Sequence, residues 1–292
     1  MKSIKVISIV TVLIFQLITS GEAAELPKYV ISLESNAFGD QYVGCEENME
    51  TKAKELLAQE RAMNSNFSKV WEKAEIKWEK LSPDKKRMEK LYEVAVIAYT
   101  MEEPKIYPTF NRAVRECCGS LEAYMKDFHF KAFHFYLTRA VKILRKPGFC
   151  QKVYRGISVK QLPDGSGEMR FGQFASTSLK QGVALIFTDH GTGTLYDIYT
   201  CQGALIQHLS VYPEEKEVLI PPYELFDVAS FSESEGLQNV MLKSKRTFSK
   251  FNCAYLQDSG KMTKDPGQMT TILFSGILIL FFQDHSQILS WS

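Results

Sequence analysis

The sequence carries almost no net charge: 35 Lys and Arg against 34 Asp and Glu leave +1 at neutral pH. No overall field therefore draws the chain toward nucleic acid or anionic lipid, and no nucleic-acid partner is expected. The one tight basic run, Lys243-Ser244-Lys245-Arg246, reads as a solvated strand end. C-x-x-C spacing is absent, and His129 and His134 stand five residues apart, more than a third of a turn off a common helix face. No metal is expected. No G-x-G-x-x-G lies between a strand and a helix, and Gly191-Thr192-Gly193 lacks the third glycine, which argues against a Rossmann dinucleotide site. There is no internal repeat and no low-complexity linker, so the chain makes one large domain or two intimate ones.

Apolar runs of about 20 residues, long enough to span a bilayer, are missing too. The N-terminus instead has Lys2 and Lys5, a shorter apolar stretch over 6–17, and Gly21-Glu22-Ala23. A positive flank, a short apolar core and small residues define a signal peptide, 1–23, cut near Ala23. At the other end Asp258-Ser259-Gly260, a polar spacer over 261–268 and an apolar tail over 269–282 follow the order of a GPI-anchor signal, with 259–292 as the removed propeptide. The tail closes on the polar Gln283-Asp284-His285-Ser286-Gln287, so a secreted form stays open. Either way the protein is extracellular or at the cell surface. Six cysteines in an exported chain imply disulfides. Cys117 and Cys118 are adjacent, and neighbouring Cα atoms about 3.8 Å apart fall below the usual disulfide range, which leaves Cys45, Cys150, Cys201 and Cys253 as the structural set. Asn66-Phe67-Ser68 is a glycosylation acceptor.

From Cys45 to about Arg145 the apolar period is helical. Phe67, Val70, Trp71, Ala74 and Trp78 form one stripe, and Met88, Leu91, Tyr92, Ala95 and Tyr99 a second. Between them Ser82-Pro83 reads as an N-cap and first turn. Phe133, Tyr136, Leu137, Ala140, Val141 and Leu144 form a third stripe, closed by Lys146-Pro147-Gly148. From Gln151 the period drops to two, with strands expected over 152–157, 173–178, 195–201, 205–211, 217–220, 226–231, 240–245 and 252–256. Helices followed by strands define an α+β protein, with a helical lobe over 24–150 and a β-rich core over 151–258.

Three polar elements stand out in the strand-rich half. Tyr154-Arg155-Gly156 puts an arginine inside a strand, where its fork can hold a pyrophosphate or make a cross-strand pair. Phe171-Gly172-Gln173-Phe174-Ala175-Ser176-Thr177-Ser178 sets Ser176 and Ser178 on one strand face. Glu215-Lys216-Glu217, ahead of Val218-Leu219-Ile220-Pro221-Pro222, would by the same alternation hold two carboxylates on one face and raise the pKa of one of them. A solvated acidic turn would use the same residues.

Taken in order, these elements resemble those of the vertebrate ecto-mono-ADP-ribosyltransferases, of the arginine-specific toxin-like class. Asp40-Gln41-Tyr42-Val43-Gly44-Cys45 resembles the N-terminal signature of that family, and residues 128–138, from Phe128-His129-Phe130 onward, its central helix. The resemblance implies a helical lobe packed on a mixed two-sheet β core with NAD, the co-substrate, in the cleft. It implies bridges Cys45–Cys253 and Cys150–Cys201 and leaves Cys117 and Cys118 unexplained. It also implies transfer of ADP-ribose from NAD to protein arginines, with oxocarbenium character on the ribose as in glycoside hydrolysis. Glu217 would stabilise that charge and Ser176 would fix Glu217. Glu215 would orient and deprotonate the acceptor, with Tyr212 contacting the target. Arg155 would hold the phosphates, Gly156 the nicotinamide amide, and Gln173 would join the NAD site. The partners expected are NAD and arginine-bearing proteins, the membrane is met through the anchor, and the chain is expected to be a monomer. NAD hydrolysis, or a silent binding protein of the same fold, are the alternatives.

Overall fold

A computed structural model describes residues 30–257; the expected signal peptide, 1–23, and the expected C-terminal propeptide, 259–292, lie outside that range. The first half is helical: α1 (Glu46–Met63), α2 (Ser65–Glu79), α3 (Lys90–Thr100), α4 (Tyr107–Glu116), α5 (Leu121–Asp127) and α6 (Lys131–Leu144). The α2 stripe exists because Phe67, Val70, Trp71 and Ala74 recur at helical spacing and are all buried, while Asn64 accepts the Phe67 N–H and caps the helix start. Ser82-Pro83 begins only a short 3-10 turn, Pro83–Lys85, and α3 starts later, at Lys90.

Helix α6 is the centre of the lobe. Its residues Ala132 to Thr138 are buried, and it packs against both α1 and α3. Its first turn is capped by the buried Glu60, whose carboxylate accepts the N–H groups of Ala132 (2.8 Å) and Phe133 (3.3 Å). Burial pushes that carboxyl up to about 8 despite these bonds. His134 is fully buried, accepts or donates at 2.8 Å with the Tyr42 hydroxyl, and is held neutral by burial, its pKa lowered to about 3. His129 is exposed, whereas His134 lies inside the lobe.

The strands are β1 (Val30–Ile31), β2 (Gln151–Ile157), β3 (Leu162–Pro163), β4 (Glu168–Arg170), β5 (Ala175–Ser178), β6 (Thr194–Thr200), β7 (Ala204–Leu205), β8 (Glu217–Ile220), β9 (Glu224–Ser234) and β10 (Leu237–Thr247). Strands β1 and β3 pair with each other; the rest run in the order β4-β9-β10-β6-β2-β5-β8-β7. The β1–β3 pair is parallel; within the eight-stranded sheet β10 and β6 are parallel and the other pairs antiparallel, so that sheet is mixed. Its two halves meet at a single pair, Tyr154 opposite Ser178, so this is nearly two sheets. The cleft opens at that narrow junction. Helix α7 (Gln181–Ile186) follows β5 and lies against β2.

Two expected strands take other forms. After Leu205 the chain coils, with the Leu209 and Ser210 N–H groups both bonded to the Ile206 carbonyl at 2.9 Å. Residues 254–257 are helical, with Leu256 and Gln257 bonded back to the Cys253 carbonyl. Bridges join Cys45 to Cys253 and Cys150 to Cys201. Cys117 and Cys118 are also joined, contrary to the expectation from their Cα spacing; they stand where α4 ends, and Cys117 is its C-cap. Asn66 is exposed on the first turn of α2, and its amide donates to the Lys105 carbonyl at 3.2 Å.

Candidate active site

The cleft has a volume of about 480 Å³, within the usual range for small-molecule sites. Arg155, Gly156, Gln173, Ser176, Tyr212, Glu215 and Glu217 all line it. Sequence-distant motifs therefore converge, and the sheet junction explains how. Because β2 and β5 pair at one position only, Arg155 replaces a ladder bond: its Nη1 donates to the Ser176 carbonyl at 2.7 Å. Burial pulls its guanidinium below the usual arginine value, opposed by nearby Tyr99, Tyr196 and Glu217. Gly156 is required by packing, since a Cβ there would lie 1.8 Å from the Ala184 carbonyl oxygen of α7. The absence of a side chain lets α7 close one wall of the cleft with Val183, Ala184 and Phe187.

Glu217 opens β8 and is 7 % exposed. The Ser210 hydroxyl donates to its Oε2 at 3.0 Å and accepts the Tyr212 N–H at 3.1 Å. Burial raises the Glu217 pKa above the usual carboxylate range; the Ser176 and Ser210 hydroxyls oppose that, and the charge of Glu215 adds to it. Glu215 is not on the strand with Glu217. It ends a 3-10 turn, Pro213–Glu215, and Lys216 adopts a left-handed conformation (φ 49°) before the strand begins. Alternation along a strand thus does not govern the pair; the turn brings Glu215 to the same cleft by another route.

That turn is pinned from β5. Ser178 Oγ donates to the Glu215 carbonyl at 2.6 Å and accepts the Lys180 N–H at 2.9 Å, while Lys180 Nζ donates to the Glu214 carbonyl at 2.9 Å. Glu215 is half-buried, with its pKa raised by burial and by Glu214 and Glu102. Glu214 is exposed and does not line the cleft. Tyr212 presents a ring 40 % exposed at the cleft.

Sequence reasoning missed the opposite wall. Tyr107, Asn111 and Arg115 line it from α4, and their spacing of four residues on one helix face was the available signal. Arg115 Nη1 donates to the Gln173 side chain, which lies before β5 and not within it. Asn111 donates to the Tyr99 hydroxyl at 3.0 Å, and its buried Oδ1 has no protein partner. Beneath them Phe110 stacks on Phe174 (5.7 Å between ring centres), fixing the helical lobe to the strand that carries Ser176. Ser210 was also missed, being a single serine in coil, and Ser178, read as sharing a strand face with Ser176, turns out to bond the Glu215 turn.

The donors and acceptors fit NAD. Arg155 and Arg115 suit a pyrophosphate, and the orphaned Asn111 oxygen and the backbone at Gly156 suit an amide or hydroxyl donor. Among the described residues no group of three or more His, Cys, Asp or Glu is placed to hold a metal.

An α+β domain whose cleft is lined by two arginines and three carboxylates can take both an anionic dinucleotide and a group that becomes positive. Comparison with known proteins makes the class definite. Residues 31–250 match the family model for NAD:arginine ADP-ribosyltransferases. Ecto-ADP-ribosyltransferase 5 of Bos taurus is 44% identical over 241 residues, covering 77% of this chain and 74% of the relative. T-cell ecto-ADP-ribosyltransferase 1 of Mus musculus is 42% identical over 232 residues, 78% of each. The crystal structure of the eukaryotic mono-ADP-ribosyltransferase ART2.2 superposes with a TM-score of 0.68 at 39% identity, covering 78% of this chain and 99% of that one. A variant of ART2.2 solved in complex with NAD gives a TM-score of 0.67. The chain belongs to the NAD:arginine ADP-ribosyltransferase family. Its co-substrate is NAD, and its reaction moves ADP-ribose to arginine side chains with release of nicotinamide.

Proposed function

We propose that Arg155, Ser176, Glu215 and Glu217 carry this transfer, in distinct roles. The supporting observation is a buried carboxylate, Glu217, held by Ser210 and Ser176 in the same cleft as the half-buried Glu215. Bound NAD supplies the ADP-ribosyl group, with nicotinamide as leaving group. Glu217, itself buried, then offers fixed negative charge where positive charge develops on the ribose. Glu215, whose raised pKa suits a base, accepts a proton from the incoming guanidinium. Arg155 holds the phosphates, Gly156 orients the nicotinamide amide through its backbone, and Gln173, tied to Arg115, supports the NAD site. Tyr212 contacts the target. Incubating the protein with labelled NAD, with and without a free guanidine acceptor, tests the whole scheme: label should move to the acceptor. Label released only as free ADP-ribose would make it a glycohydrolase.

Two single replacements test the parts. Arg155→Lys lacks the planar fork, so the KM for NAD should rise roughly tenfold or more, the scale of one hydrogen bond to a charged group, while the fold survives. An unchanged KM removes the phosphate role. Ser210→Ala takes away a hydroxyl that lowers the Glu217 pKa. Glu217 acts ionised, so its titration sets the acid limb of the pH profile, and the raised pKa of the variant should move that limb to higher pH. A limb that stays in place or moves down refutes the assignment.

We further propose that the protein acts outside the cell, as the names of its ecto-enzyme relatives indicate for them, and that it is a monomer held by a GPI anchor. The apolar tail supports the anchor. Phosphatidylinositol-specific phospholipase should then release it from cells, whereas activity confined to the medium of untreated cells means secretion.

A further inference from the structure

The cleft has a third carboxylate that none of these roles uses. Glu102 lies two residues past the end of α3, in the connection to α4, and lines the cleft together with Glu215, Tyr107 and Tyr212. Its side chain is 40 % exposed, and among the described residues its ion pair is with Lys105, at 3.3 Å. The charge of Glu102 reaches the site, since it raises the pKa of both Glu215 and Tyr107. The positive groups of the cleft, Arg115 and Arg155, suit the phosphates, so a carboxylate near Glu215 is left for a ligand of opposite sign.

The acceptor in this family is a guanidinium, planar, cationic and lined with N–H donors along more than one edge. One carboxylate satisfies one edge. We propose that Glu102 is a specificity-determining residue of the acceptor subsite, pairing with the guanidinium edge that Glu215 does not take, between the rings of Tyr107 and Tyr212. Lys105 is then a stand-in cation in the empty subsite. Its pairing with Glu102 is exposed and therefore weak, and an incoming arginine can displace it. The substrate class follows: arginines on protruding segments without an acidic neighbour, because a nearby carboxylate on the target would meet Glu102 as well as Glu214 and Glu215.

The inference rests on the transferase reading, and its test separates the two. The probe is agmatine, with NAD as donor. Glu102→Gln should raise the KM for agmatine roughly tenfold, the scale of one charge-assisted hydrogen bond, with the KM for NAD moving less than twofold. Lys105→Gln should shift the agmatine KM the other way, below that of the wild type, because the competing cation is gone. An agmatine KM within twofold of wild type in Glu102→Gln overturns the proposal. So does a KM for NAD that rises by the same factor, since that describes a loosened cleft. A wild-type protein that hydrolyses NAD and leaves agmatine unmodified overturns the parent reading, and this one with it.

Discussion

Glu217→Gln is expected to abolish both arginine modification and NAD hydrolysis, whereas Glu215→Gln abolishes modification and leaves hydrolysis measurable. The two side chains share a cleft but not an environment. Glu217 is buried at the start of β8, fixed by two serine hydroxyls, and presents charge that need not reorganise during the reaction. Deleting one such preorganised contact typically slows a reaction by about 10²–10³-fold. Every route through the ribosyl cation should suffer, whether arginine or water is the acceptor. Glu215 sits on the turn outside the strand, half-exposed, and acts on the acceptor alone. Loss of general-base help is worth about 10²–10⁴-fold for the guanidinium, while water needs less orientation. Glu214→Gln is the control, being exposed and outside the cleft. Full arginine transfer by Glu215→Gln, or surviving hydrolysis in Glu217→Gln, would show that the division of labour is wrong.

Asp40→Ala should be among the most destabilising single changes in the domain. Asp40 is fully buried and accepts three backbone N–H groups: Tyr42 at 2.8 Å and Cys253 at 2.9 Å on Oδ1, and Ala254 at 2.8 Å on Oδ2. Truncation leaves all three donors without a partner, at about 1–3 kcal/mol for each buried unsatisfied group. Part of this is returned, because burial raises the Asp40 pKa and removing the carboxylate removes that desolvation penalty. A net loss of about 3 kcal/mol remains, which for a domain of this size lowers Tm by roughly 6–12 °C. Asp40→Asn should fall between, as one oxygen is kept while its amide faces a donor. If calorimetry finds Asp40→Ala within about 1 kcal/mol of wild type, the hub is not one.

What the sequence could and could not disclose follows from the range of the forces involved. Apolar periodicity is local and strong, so the stripe from Phe67 to Ala74 and the alternation along β2, β6 and β10 were legible. The stretch 205–211 alternates too, yet Ile206 and Leu209 are both buried by a coil, because it is three-residue spacing that places them on one side. Helix α7 has only six residues and owes its place to the missing side chain at Gly156, a long-range fact. Arg155, Ser176 and Glu217 were readable as a pattern of motifs. The α4 wall was not, since Tyr107, Asn111 and Arg115 become one surface only when Phe110 is packed on Phe174. Glu60, Asp40 and Glu224 were equally hidden, because a buried carboxylate that collects backbone N–H groups has the same letter in the sequence as a solvated one.

The joining of the chain's two ends has a mechanical consequence. Cys45 and Cys253 are bridged across 208 positions of sequence, Asn252 exchanges bonds with the backbone of Val43 at 2.8 and 2.9 Å, and Asp40 holds Cys253 and Ala254. A pull applied between the two termini therefore passes from one to the other through a covalent shortcut, and the polypeptide between the two cysteines lies off the load path. Once the leading segment 30–44 has come away from β3, Arg170 and Val114, both lobes and the cleft between them stay slack while the latch bears the tension. Only when that bond is reduced does the load fall on the sheet, where the single Tyr154–Ser178 pair is a candidate for the first seam to part.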